Sequence, residues 1–60
     1  MKKQIKIEKL LGWASHEDPI VRADAITTLS RRSEPEAMQF LRLALQDPDA
    51  DVRYRAIRGL

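Results

Sequence analysis

Two short segments gather the side chains that could hold a metal or move a proton. Asp47-Pro48-Asp49-Ala50-Asp51 alternates carboxylates as the opening of a calcium loop does. Such a loop needs Gly at its sixth position and Glu at its twelfth, and Val52 and Arg58 stand there instead. His16-Glu17-Asp18 sets an imidazole beside two acids, but a lone His with adjacent carboxylates lacks the spacing of zinc ligands. The chain has no Cys, one His and two Gly, hence neither a nucleophile paired with a base nor a glycine-rich phosphate cradle. The expectation is no catalytic residue, no metal, no cofactor and no enzyme activity. The carboxylates have a simpler use at helix N-termini, where negative charge complements the helix dipole.

The elements that must carry these residues are helices. In 60 residues, 43% are hydrophobic and 33% charged, with three Pro and two Gly, an all-α globular composition rather than a disordered or turn-rich one. A chain of this length forms one small domain, and such domains bury only about 60% of the surface exposed on unfolding. With no disulfide available, stability must come from close helix packing or from a partner. Apolar runs are too short to span a bilayer, and the basic N-terminal run is short and interrupted by Glu8, so no membrane association is expected and the setting is read as cytoplasmic.

Punctuation divides the chain into four helices. The first is expected from about Lys3 to Ser15, burying Ile7, Leu10, Leu11 and Ala14, with Trp13 packing at the border of that stripe. Asp18 caps the second and Pro19 suits its first turn. It runs to about Arg32 with Val21, Ala25 and Leu29 as its core stripe and Ile26 on the flank. Ser33 and Glu36 have capping-box spacing for the third, which ends near Gln46 before Asp47-Pro48. The fourth starts near Asp49 to Asp51 and lines up Val52, Ala56 and Leu60.

Sliding the chain by 31 positions superposes Leu10 on Leu41, Asp18 on Asp49, Val21-Arg22 on Val52-Arg53, Ala25-Ile26 on Ala56-Ile57 and Leu29 on Leu60. The repeating object is a helix hairpin that buries its apolar face by stacking on a neighbour. Residues 3–32 form the first hairpin and 33–60 the second, within a single domain over 1–60, and the second is read as truncated or as continuing into further repeats.

Asp-Pro, a short gap, Val-Arg, then Ala and Leu at helical spacing resembles the HEAT repeat, and the short period is similar to a compact HEAT-like subfamily first recognised in phycobilisome lyase proteins. The resemblance implies two antiparallel helix hairpins stacked as a short α-α solenoid whose second helices line a concave surface that holds other proteins. It also implies a ladder in which the Asp before the second helix bonds the Arg after Val, within or between repeats. Asp47 with Arg53 matches that pattern and Arg22 matches the Arg. His16 stands where the first repeat would carry the Asp.

On the fourth helix the side opposite the core holds Tyr54, Arg55 and Arg58, and the equivalent side of the second holds Ala23, Asp24, Thr27, Ser30 and Arg31. The residues expected to bind a partner on the concave face are Tyr54, Arg55, Arg58, Thr27 and Arg31, a set suited to an acidic peptide or helix because Arg pairs bidentately with carboxylates. The third helix is apolar round most of its circumference and so is expected to be buried all round. Phe40, Leu43, Ile57 and Leu60 are accordingly read as an interface with a second copy, with further repeats or with a different protein. The leading function is a non-enzymatic protein-binding scaffold module, self-associating or part of a longer array. The alternatives are phosphate-backbone binding through Arg22, Arg31, Arg32, Arg53, Arg55 and Arg58, which nine acidic residues weaken, or a purely structural repeat fragment, engineered or excised.

Overall fold

The computed structural model describes residues 4–60 and forms four helices: α1 (Ile7–Ala14), α2 (Pro19–Leu29), α3 (Pro35–Ala44) and α4 (Ala50–Gly59). No strand occurs among the described residues. The connections are the short segments 15–18, 30–34 and 45–49, and α1 with α2 and α3 with α4 make two hairpins. α2 lies against each of the other three helices, while α1 packs on α3 and does not reach α4. First helix stacks on first helix and second on second, the arrangement of an α-α solenoid.

The starts of α2 and α4 follow directly from their residues. The Asp18 carboxylate accepts from the N–H of Ile20 at 2.9 Å with Pro19 in the first turn, and the Asp49 carboxylate accepts from Asp51 and Val52 at 2.9 and 3.2 Å. α3 begins differently. Its N-cap is Glu34, which makes no side-chain cap bond, so the Ser33–Glu36 capping box does not form. The physical reason is Pro35, which holds Glu34 extended and leaves Ser33 one residue outside the cap. Glu34 is instead gripped by Arg32 through two bonds of 3.0 and 2.6 Å, and that hydrogen bonding holds its carboxyl below the ordinary carboxylate range.

α1 starts four residues later than expected, and Lys3 lies outside the described residues. Lys6 occupies the N-cap position with no side-chain bond to the helix, since Lys carries only donors. The carbonyl of Ile5 accepts instead from Arg32 at 2.6 Å, tying the N-terminal segment to the turn before α3.

The core is Leu10 from α1, Ala23, Ile26 and Leu29 from α2, Ala37, Leu41 and Ala44 from α3, and Val52 and Ala56 from α4, with Ile7, Leu11, Ala14 and Phe40 packed at its margin. Five expectations about burial need correction. Ala23 is buried rather than facing outward, and Val21 is only half-buried, because α2 is covered on three sides and its buried face is wider than one stripe. The helix expected to be buried all round, α3, buries only Ala37, Leu41 and Ala44 and leaves Met38 and Leu43 exposed. It flanks the stack and does not run through its centre. Trp13 is exposed rather than packed in the core, with the Lys9 ammonium 5.6 Å from the centre of its ring. Leu60, expected in the core stripe of α4, is exposed beyond the end of that helix.

A candidate partner-binding groove between α2 and α4

A polar rung fixes α4 beside α2 at one end. Asp47, in the turn before α4, receives Nε and Nη2 of Arg22 at 2.9 and 3.0 Å, a bidentate pair with both side chains largely covered. The same carboxylate accepts from the Asp49 N–H at 2.9 Å. Burial pushes the Asp47 carboxyl up, but the hydrogen bonds from Arg22 and Asp49, with the charges of Arg22 and Arg53, outweigh it and hold the group below its ordinary value. The hydrogen bond to Asp47 in turn raises Arg22. The third nitrogen of Arg22 donates to the carbonyls of His16 and Glu17, both at 2.9 Å, closing the turn that precedes its own helix.

Arg53 repeats half of this pattern 31 residues on. Its Nη1 donates to the carbonyls of Asp47 and Pro48 at 2.7 and 3.1 Å. The rung therefore runs between hairpins, from Arg22 to Asp47, and Arg53 meets Asp47 through the backbone rather than the carboxylate. His16, at the position equivalent to Asp47, takes over one of its duties: Nδ1 accepts from the Asp18 N–H at 3.0 Å, as Asp47 does from Asp49.

At the other end the two helices approach closely. A Cβ built on Gly59 would lie 2.6 Å from the Ser30 Cβ and 3.3 Å from a Leu41 methyl, so only glycine permits this contact. Above it, Thr27, Ser30 and Arg31 from α2 and Arg55, Arg58 and Gly59 from α4 line a depression of about 310 Å³. The expected concave-face residues thus come together: Thr27, Arg31, Arg55 and Arg58 line one hollow, and Tyr54 joins them by accepting from Arg58 at 3.1 Å, with the guanidinium 5.7 Å from the ring centre. Arg55 is held firmly. It donates to Thr27 Oγ1 at 2.8 Å and to Asp51 at 3.1 Å, with Asp24 at 3.8 Å. Arg31 is exposed and makes no side-chain bond among the described residues, and Arg58 has only the Tyr54 hydroxyl. The floor residue Gly59 went unrecognised in the sequence. Its signal was a Gly inside a helical pattern where the first repeat carries Thr28, the mark of a close backbone approach.

The residues read as an interface fall in two places. Leu43 is exposed on α3, and Phe40 beside it is half-buried against the core. Ile57 and Leu60 are exposed on and just after α4. No group of three or more His, Cys, Asp or Glu among the described residues is placed to hold a metal ion, and no helix among them is long and apolar enough to cross a membrane.

A stack of helix hairpins joined by an Asp–Arg rung and offering a second-helix groove defines the chain as an α-α solenoid protein. The family model for HEAT repeats matches residues 3–60, and the chain belongs to that family. Comparison with curated proteins and with solved structures gives no match. HEAT repeats are generally protein-interaction scaffolds.

Proposed function

We propose that the chain is a non-catalytic protein-binding module whose α2–α4 groove receives an acidic peptide or helix. The observation that carries this reading is the convergence of Arg31 and Arg58 on one hollow with hydrogen-bonding capacity to spare, beside the exposed ring of Tyr54. Arg55 is already matched by Asp51 and Thr27 and serves to hold α4 on α2. Carboxylates on successive turns of a partner would find two guanidinium groups with donors free, and Tyr54 supplies an aromatic anchor with few rotamers to lose. The phosphate-backbone alternative draws less support, because Arg22 and Arg32 direct their donors to internal carboxylates and carbonyls and Arg53 directs Nη1 to two internal carbonyls.

The test is titration of the 60-residue chain with a Glu-rich helical peptide and, separately, with mixed-sequence duplex DNA, followed by amide chemical shifts. The reading expects peptide-induced shifts centred on Thr27, Arg31, Tyr54 and Arg58, and a loss of affinity of about tenfold or more in R31Q/R58Q, equivalent to at least ~1.4 kcal/mol. Tighter binding to DNA, or peptide affinity unchanged in the double variant, overturns it.

A further inference from the structure

The lining of the α2–α4 hollow carries three guanidinium groups, those of Arg31, Arg55 and Arg58, and no carboxylate. Its two hydroxyls already donate inward: Thr27 Oγ1 to the Ala23 carbonyl at 3.0 Å and Ser30 Oγ to the Thr27 carbonyl at 2.6 Å. The next carbonyls of α2 are occupied as well, that of Thr28 by the N–H of Arg31 and that of Leu29 by the N–H of Arg32. Arg55 is matched at the rim by Asp51 at 3.1 Å and Asp24 at 3.8 Å. Arg31 and Arg58 are not matched. Arg31 makes no side-chain bond among the described residues, and Arg58 keeps Nε and Nη2 after giving Nη1 to the Tyr54 hydroxyl. Two positive charges without a counter-charge thus line one hollow, where the side-chain donors left open all belong to guanidinium groups.

We infer that the hollow takes a single phosphorylated side chain, the phosphoserine or phosphothreonine of a peptide partner, which rests on the acidic-peptide reading of the groove and narrows it. A carboxylate brings one negative charge and two oxygens, and one guanidinium fork uses both oxygens. A phosphate monoester brings close to two charges at neutral pH and three acceptor oxygens. One such group meets Arg31 and Arg58 together. Two carboxylates would have to share the same space to reach the same neutrality, and like charges at close range oppose that. The hydroxyls select in the same direction, because Thr27 and Ser30 have no O–H left to offer and a neutral polar ligand would find acceptors there rather than donors. A nucleic-acid backbone is the poorer occupant. Its phosphates are diesters with one charge each, so each satisfies one guanidinium and leaves the other without a partner. Arg55 acts as a fixed wall: its bonds to Thr27 and Asp51 hold α4 on α2 and leave recognition to the exposed pair.

The test uses the full chain and a Glu-rich peptide made in three forms, with phosphoserine, Glu or Ser at its central position, titrated at fixed ionic strength. The phosphoserine form is expected to bind about tenfold or more tighter than the Glu form at pH 7.5. That margin should narrow about threefold by pH 5.5, because the second phosphate ionisation lies near pH 6 while Glu stays charged. Arg31→Gln and Arg58→Gln must each remove most of the margin. Arg42→Gln makes the same change of net charge on α3, outside the hollow, and must leave the margin intact. Equal affinity for the phosphoserine and Glu forms overturns the inference and leaves the acidic-peptide reading standing, whereas failure of both forms to bind removes that reading too. A margin that survives both arginine substitutions, or that Arg42→Gln abolishes equally, also overturns the inference, as does tighter binding of mixed-sequence duplex DNA than of the phosphoserine peptide.

Discussion

The guanidinium of Arg22 and the carboxylate of Asp47 meet fork to fork across the two hairpins at 2.9 and 3.0 Å, 25 residues apart in sequence. Removing the carboxylate strands three donors, two from Arg22 and the Asp49 N–H. Asp47→Ala is expected to lower unfolding stability by about 1–3 kcal/mol in urea titrations. Asp47→Asn, which keeps an acceptor for Asp49, is expected to cost less. Equal losses in the two variants would show that the acceptor kept for Asp49 contributes nothing.

Acid should weaken the fold through the same group. Asp47 and Glu34 both have carboxyl values lowered by folding. Each contributes stability that is complete well above the unfolded value, near pH 4, and is lost as pH falls through the lowered folded value. Helical circular dichroism is therefore expected to hold from pH 7 to about 5 and the melting midpoint to drop below about pH 4. In Asp47→Asn the acid-side drop should be shallower. An identical acid profile in that variant would remove Asp47 from the account.

The two glycines should respond to alanine with opposite signs. A Cβ at Gly12 meets nothing within 4 Å, so Gly12→Ala is expected to stabilise by about 0.5–1 kcal/mol through helix propensity. At Gly59 the Ser30 Cβ stands 2.6 Å from the new atom, and Gly59→Ala should destabilise despite the same propensity gain. Ser30→Gly in that background is expected to restore much of the loss. Parallel effects at both sites, read from thermal midpoints, would contradict the close approach of α4 to α2.

Leu29 is fully buried at the centre of the core on the helix that touches all the others. Leu29→Ala is expected to cost about 2–5 kcal/mol, much of what a domain of this size possesses. Thermal scans at 222 nm should show the variant largely unfolded at 25 °C. A well-folded Leu29→Ala chain would place the centre of the core elsewhere.

Much of the fold could be read from residue order, because caps and prolines are local signals: Asp18-Pro19 and Asp49 mark helix starts that the structure keeps. The 31-residue period was equally readable, since Val, Arg, Ala and Ile recur with their neighbours. The relative depth of the helices was not. α3 spreads its apolar residues round most of its circumference, yet α2, with Thr27, Thr28 and Arg22 among its residues, is the central helix. Which helix lies innermost depends on stacking order, which no single-helix periodicity records. In the groove, Thr27, Arg31, Arg55 and Arg58 were recoverable from facing positions. Gly59 offered only the general mark of a close approach, because placing the contact needs both surfaces to be known. The destination of the Asp47 carboxylate also lay beyond the sequence, since Arg22 and Arg53 offer the same chemistry at the same place in the repeat.

The Arg22–Asp47 rung and the Ser30–Gly59 contact sit at opposite ends of the α2–α4 pair, and they differ in kind. The first is a directional, charged clasp; the second is van der Waals contact, one turn beyond the Arg55–Thr27 bond that also ties α4 to α2. The mouth of the hollow lies at this second end, so its width is set by the Gly59 approach and the Arg55–Thr27 bond rather than by the clasp.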